Sequence, residues 1–263
     1  MGLKCRDILT ELFKLAPESL AEDWDNVGLL TGRPEKEVHR LYLALDATDD
    51  CIEHAVKTKA DMLLTHHPMI FKALKKVTGD DFTGRRVMEL ISHDISYAAM
   101  HTNYDRACMA EKAAERLDLK EKETFCMEKT DDSGRDYGLG VIGTLSSPLT
   151  LAGLAEEVKL KFRIPDVRIY GDEAALVERA AIIPGSGGSE AGYVLEKDAD
   201  VFITGDISHH QGLDAVLQGL FVIDAGHYGM EKIFISDMEK WFRGRFPDLK
   251  VYTEEIREPF VTR

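Results

Sequence analysis

Two stretches of this chain read almost alike. Lys59-Ala60-Asp61-Met62-Leu63-Leu64-Thr65 and Asp198-Ala199-Asp200-Val201-Phe202-Ile203-Thr204 each set Ala-Asp before three apolar residues and close on Thr. A short unbroken apolar run between polar residues is the pattern of a strand buried on both faces. The echo continues downstream. The next strand ends on His101-Thr102-Asn103-Tyr104-Asp105 in the first half and on Gly226-His227-Tyr228-Gly229-Met230-Glu231 in the second, each giving a His followed four residues later by a carboxylate. A strand pattern repeated in this way predicts two halves of similar topology meeting face to face.

The surrounding residues give each half an α/β rhythm. Ile8, Leu9, Leu12 and Phe13 recur at helical spacing until Pro17 stops them. Leu41 to Leu45 is a buried strand, followed by a helix carrying Ile52, Ala55 and Val56, the strand Asp61 to Thr65, a helix over Arg85 to Ser92 and a strand over Ile95 to Met100. The second half offers strands over Ala180 to Pro184 and Ala199 to Thr204, with Ser186 to Ser189 as a turn or helix start. Strand, helix, strand in series is the signature of a parallel α/β sheet. The expected fold is therefore α/β, two similar three-layer α/β halves related by an internal pseudo-repeat. The halves span residues 1–127 and 137–221, joined by the polar stretch Glu128 to Asp136, and residues 222–263 pack back on the body through an amphipathic helix (Ile233 to Phe246) and a final strand (Lys250 to Glu254).

A chain of 263 residues that is 44% hydrophobic has enough apolar surface for a sizeable core. Its 47 acidic and 33 basic side chains give a formal charge of −14, which repels a phosphate backbone and argues against nucleic acid as a main partner. The basic clusters Lys72 to Lys76 and Lys159 to Arg163 are short. The first thirty residues carry Lys4, Arg6, Asp7 and Glu11 among their apolar positions, and no apolar run approaches the roughly 20 residues that cross a bilayer, so a cytoplasmic location with no membrane partner is expected. Cys5, Cys51, Cys108 and Cys126 lie far apart and read as free thiols.

The chemistry gathers where α/β sheets bind ligands, at the carboxyl ends of strands. Six of the nine histidines stand just after predicted strands, namely His66, His67, His101, His209, His210 and His227. A His and a carboxylate four apart share one face of a helix and can reach one ion, whereas adjacent histidines point apart and suit two neighbouring ions. Imidazole with carboxylate suits zinc, manganese, iron, cobalt or nickel. A pair of such ions needs a bridging oxygen, which Asp105 or Glu231 can give. The plainer reading of any single His is a core or capping role, but it fits the set poorly. Asp46 is read as a helix cap rather than a crevice residue, Trp24 and Asp25 as structural residues of the loop after the first helix, and the Gly185 to Ser189 loop as a turn rather than a phosphate cradle.

The segments WDNVGLL (Trp24 to Leu30), LTHHPMIF (Leu64 to Phe71), HTNYD (His101 to Asp105) and DAGHY (Asp224 to Tyr228) resemble the Nif-three-like family of dinuclear-metal proteins, often labelled GTP cyclohydrolase I type 2 homologues. The resemblance runs from near residue 4 to near residue 255. It implies two divalent metal ions held between the halves by His66, His67, Asp105, His227 and Glu231, with Glu231 bridging and His101 coordinating or hydrogen-bonding nearby. It also implies self-association into a toroidal homohexamer. Met230 stands where the family usually has Thr, Ser208-His209-His210 departs from the usual run after Gly205-Asp206, and the chain lacks the long middle insertion of some relatives.

The expected activity is metal-assisted hydrolysis of a small nucleotide- or pterin-like molecule, with GTP cyclohydrolase-like ring opening as one version and His101 or His210 moving the proton. No P-loop or other nucleotide motif accompanies it. The alternative, with the same ligands, is a metal-handling or regulatory scaffold that turns nothing over. A role as an interaction protein in transcription fits the acidic balance poorly.

Overall fold

The computed structural model describes residues 2–126, 129–131 and 134–261 and has a mixed α/β fold. By its contacts the chain divides into two units, residues 1–104 with 234–257 and residues 105–233 with 258–263.

The first unit opens with α1 (Cys5–Leu15), which buries Cys5, Ile8 and Leu12 along one face. Then come β1 (Gly28–Thr31), β2 (Arg40–Ala44), α2 (Asp49–Lys57), β3 (Met62–Thr65), α3 (Phe82–Ser92), β4 (Ser96–Ala99) and the single turn α4 (Thr102–Tyr104). The sheet order is β1-β4-β3-β2 and then the strand Lys250–Thr253. β2, β3, β4 and the C-terminal strand run parallel, and β1 closes the edge antiparallel to β4. Tyr42, Leu63 and Tyr97 from the strands pack with Ile52 and Ala55 of α2 and Leu90 of α3 in one buried cluster. Each of the larger aliphatic side chains among them contributes about 1.5–3 kcal/mol by leaving water.

The second unit begins with a π-helical turn (Asp105–Met109) leading into α5 (Ala110–Arg116). It continues through β5 (Lys120–Phe125), β6 (Lys129–Thr130), β7 (Asp136–Tyr137), β8 (Gly140–Thr150), α6 (Leu151–Phe162), β9 (Arg168–Tyr170), β10 (Leu176–Ile183), α7 (Ala191–Leu195), β11 (Val201–Thr204), α8 (His209–Leu217), β12 (Phe221–Asp224) and α9 (His227–Glu231). The main sheet has the order β5-β8-β10-β11-β12-β9, with β10, β11 and β12 parallel and β9 antiparallel to β12.

The two sheets share a parallel three-strand centre with an antiparallel strand beyond the last member, and the repeated sequence explains the match. Asp61 Oδ2 accepts from the amides of His39 (2.9 Å) and Arg40 (2.8 Å). Asp200 Oδ2 accepts from those of Glu178 and Arg179, each at 2.8 Å. Both carboxylates thus hold the neighbouring strand just before the parallel pairing begins at Leu41–Met62 and Ala180–Val201, and Lys59 and Asp198 supply left-handed turns at φ 55° and 53°. The Ala-Asp pair is part of how each strand is launched.

The division differs from the one read in the sequence. Residues 105–126 go with the second sheet because β5 pairs with β8, so the break falls at Tyr104/Asp105 rather than near residue 127. The segment 222–263 is shared out likewise: β12 and α9 belong to the second unit, and the strand Lys250–Thr253 joins the first through β2. Of the stretch 128–136 expected to join the halves, residues 128, 132 and 133 lie outside the described residues, as does residue 127. Among the described residues no helix is long and apolar enough to cross a membrane.

Candidate metal centre

In the first unit, β3 delivers His66 and His67 and β4 delivers His101, all past the carboxyl ends of parallel strands. One ring nitrogen of each lies within 4.8 Å of those of the other two. His66 is fully buried, with the Phe234 ring centroid 5.2 Å away and that of Tyr104 at 6.2 Å.

Each of these imidazoles is held through Nδ1. His66 Nδ1 donates to the Met100 carbonyl at 2.8 Å, His67 Nδ1 to Asp46 Oδ1 at 2.8 Å, and His101 Nδ1 to Asp25 Oδ1 at 2.9 Å. Such bonds fix the tautomer and leave Nε2 as the electron-pair donor, the support that metal-binding imidazoles receive. Asp25 is wholly buried at its side chain and also accepts from the Thr102 amide at 3.0 Å. Burial works against its charge, but the bonds from His101 and Thr102 outweigh it and hold the carboxyl at about 2.

Asp46 therefore does not cap α2, as the sequence suggested. The cap is Thr48, whose hydroxyl accepts from the Cys51 amide at 3.1 Å, and this leaves the Asp46 side chain to anchor His67. A further carboxyl lies in the same loop cluster and was missed in the sequence. Glu254 Oε1 accepts from the Leu45 amide at 2.6 Å, and burial, aided by the nearby Asp46 charge, pushes it up to about 7.

The loop carrying His66 and His67 hangs on the buried Tyr97 hydroxyl, which meets Thr65 Oγ1 at 2.9 Å, accepts from the Met69 amide at 2.7 Å and donates to the His67 carbonyl at 3.1 Å. Tyr97→Phe removes all three contacts and strands polar groups in the interior. We expect a loss of about 1–3 kcal/mol in urea unfolding; an unchanged midpoint would mean that water or a shifted loop replaces the hydroxyl.

The second unit carries donors of its own. His227 and Glu231 stand one turn apart on α9, with Nε2 to Oε2 at 2.8 Å, and His227 Nδ1 meets Asp206 Oδ2 at 2.9 Å. Asp105, at the head of the π-helical turn, offers a carboxylate oxygen within 4.8 Å of one from Glu231. Burial opposes a charged His227, yet the carboxylates of Glu231 and Asp206 prevail and raise it to about 9. Asp206 had no role in the sequence reading. It follows Thr204 by two residues as His67 follows Thr65, so carrying the repeat two residues further would have found it.

The register refines the echo seen in the sequence. Ala99 pairs with Thr65, and Asp224 pairs with Thr204. His101 comes two residues after Ala99, whereas His227 comes three after Asp224. The extra residue precedes α9, where Gly226 adopts φ 73°. The Gly185 to Ser189 loop bends at Gly185 and Ser186 and enters a short 3-10 helix at Gly188; the Gly187 amide bonds to Thr204 Oγ1 at 3.0 Å, and the Gly185 carbonyl accepts from Gly205 at 2.8 Å. His209 and His210 are exposed at the start of α8, and the donor groups found among the described residues include neither.

Residues 3–259 match the family model described as Duf34/NIF3 (NGG1p interacting factor 3). The chain is similar to a protein of Clostridium acetobutylicum called GTP cyclohydrolase 1 type 2 homolog, at 34% identity over 96% of this chain and 94% of that one. Among solved structures it is similar to the hypothetical protein SA1388 of Staphylococcus aureus, with a TM-score of 0.89 and 30% identity over 100% of both chains. It is also similar to reduced HcgD from Methanocaldococcus jannaschii, with a TM-score of 0.80 and 27% identity over 96% of this chain and 98% of that one.

Proposed function

The chain belongs to the Duf34/NIF3 family, and on that premise we propose that it binds two divalent metal ions and hydrolyses a small nucleotide- or pterin-like molecule. One observation carries this reading. All four imidazoles in the donor sets are anchored at Nδ1 by a carboxylate or a carbonyl, which prepares Nε2 of His66, His67 and His101 to donate and that of His227 once its proton, shared with Glu231, is displaced.

The chemistry of the two sets supports joint use. His66, His67 and His101 bring no charge of their own to a cation, whereas Asp105 and Glu231 bring two carboxylates and no further imidazole than His227. Imidazole with carboxylate is the mixed nitrogen and oxygen chemistry that suits zinc, manganese, iron, cobalt or nickel. Glu231 would be the carboxylate shared between the ions, since one of its oxygens meets His227 and the carboxylate also comes within reach of Asp105. When bound, two such ions make water a nucleophile near neutral pH and neutralise an anionic oxygen. The protein's own part is to hold the donors still and to move a proton. We assign the proton to His101, which Asp25 orients and which in this role keeps its Nε2 off the metal, rather than to His210, which stands outside the donor groups.

The test is elemental analysis of the purified protein beside His67→Ala and Glu231→Ala, followed by a turnover screen with nucleotides and pterins. We expect about two equivalents of metal in the parent, fewer in each variant, and turnover that follows the metal. Two equivalents without turnover would replace the hydrolase by a metal-handling role, and no metal after reconstitution would end both. The homohexamer belongs to the same proposal; sedimentation velocity should give a mass near six copies of the 29.5 kDa chain.

A further inference from the structure

Beside the first donor set lie two large aromatic side chains that folding has not covered. Trp24 is 57% exposed and Phe71 46% exposed. Their ring centroids are 5.4 Å apart with planes tilted by 44°, and the His101 ring stands edge-on at 6.1 Å from Trp24 and 6.2 Å from Phe71. Leaving so much apolar area in water forgoes stabilisation, yet these rings are not on a loose loop. The residues after Trp24 tie its loop down on both sides: Asp25 is bonded to His101 and Thr102, and Asn26 Nδ2 donates to the Ile70 carbonyl at 2.5 Å, next to Phe71. The same contacts that orient His101 therefore fix both rings around it.

We propose that Trp24 and Phe71 form an aromatic shelf that takes the flat face of the substrate's heteroaromatic ring and presents the ring edge to the donor set at His101. This deepens the reading of the site as one for a nucleotide- or pterin-like molecule and rests on it. Every base has a π face, so stacking on an exposed indole supplies affinity for rings of this kind without reading hydrogen bonds. A sugar phosphate with no aromatic base gains nothing from the shelf. Exposed Lys72 and Lys75 follow Phe71 and enter no ion pair among the described residues, which favours a ring carrying an anionic group.

The experiment is equilibrium dialysis of guanosine monophosphate, with ribose 5-phosphate as the probe that lacks the aromatic base. It uses the parent, Trp24→Ala, Trp24→Phe and Phe71→Ala, with metal content measured on the same samples. Expected is a loss of about 10-fold or more in guanosine monophosphate affinity in Trp24→Ala and Phe71→Ala, with retention in Trp24→Phe, unchanged ribose 5-phosphate binding and unchanged metal content. Equal losses for both probes, or none for the nucleotide, would overturn the shelf. So would a smaller sedimenting species in Trp24→Ala with nucleotide affinity intact, because the rings would then be a contact between copies of this chain. Absence of metal from the parent would instead sink the metal reading, and the dialysis on metal-free protein would still decide the shelf.

Discussion

Replacing Gly185 with alanine should cost the protein its grip on metal by about 100-fold or more while leaving it folded. Gly185 sits at φ 70°, and a Cβ built there would lie 2.1 Å from Glu231 Oε1 and 3.2 Å from its carboxyl carbon. The clash is with the far end of a side chain, so the backbone survives and Glu231 swings away. The added methyl therefore acts on the one carboxylate that meets His227 and also comes within reach of Asp105. Backbone strain alone accounts for roughly 1–2 kcal/mol, since any side chain with a Cβ is disfavoured in the left-handed region. Gly219→Ala separates the two effects. That residue has φ 92° and nothing within 4 Å of a built Cβ, so it carries the strain without the clash. Thermal unfolding should show similar small losses in both variants, whereas zinc competition against a chromophoric chelator should single out Gly185→Ala, by at least as much as loss of a supporting residue does elsewhere. Equal zinc affinity in the two variants would mean that Glu231 adapts or does not bind.

The sequence made some of this arrangement legible and hid the rest for physical reasons. Strand ends could be read because an apolar run stopping at Thr65 or at Asp224 records burial directly, and the donors His66, His67 and His227 stand beyond these ends. The internal repeat held down to the capping carboxylates Asp61 and Asp200. The groups that orient the imidazoles were not legible by spacing. Asp25 is 76 residues from His101 and Asp46 is 21 from His67, so the fold alone pairs them. β8 escaped notice because its outer half, with Ser146, Ser147 and Pro148, lacks the apolar run that marks a buried strand, and α6 because only its Lys159 to Arg163 end drew attention, as a basic cluster. The division at Tyr104/Asp105 was hidden because HTNYD runs without a break through residues that end one unit and begin the next.

The acid–base state of His227 leads to the second large effect, a dependence of metal affinity on pH between about 7 and 9. In the metal-free protein Glu231 and Asp206 keep this imidazole protonated up to about 9, so a metal ion must displace that proton to reach Nε2. Each pH unit below 9 then weakens apparent affinity about tenfold, or about 100-fold from pH 9 to pH 7. Stability of the metal-free protein should move the opposite way. A histidine whose folded pKa is raised contributes its full stabilisation below its unfolded value near 6.5 and loses it as pH climbs through the folded value near 9. With a third of the side chain exposed, that contribution is about 1–2 kcal/mol after solvent screening. Heating the protein with and without zinc across this range should therefore show the metal-free melting temperature falling while the zinc-induced increase grows. Asp206→Asn removes one of the two charges that hold the proton, so it should flatten both trends and shift them to lower pH. A zinc affinity that stays level from pH 7 to pH 9 in the parent would take His227 out of the ligand set and leave its contact with Glu231 as a plain ion pair on α9.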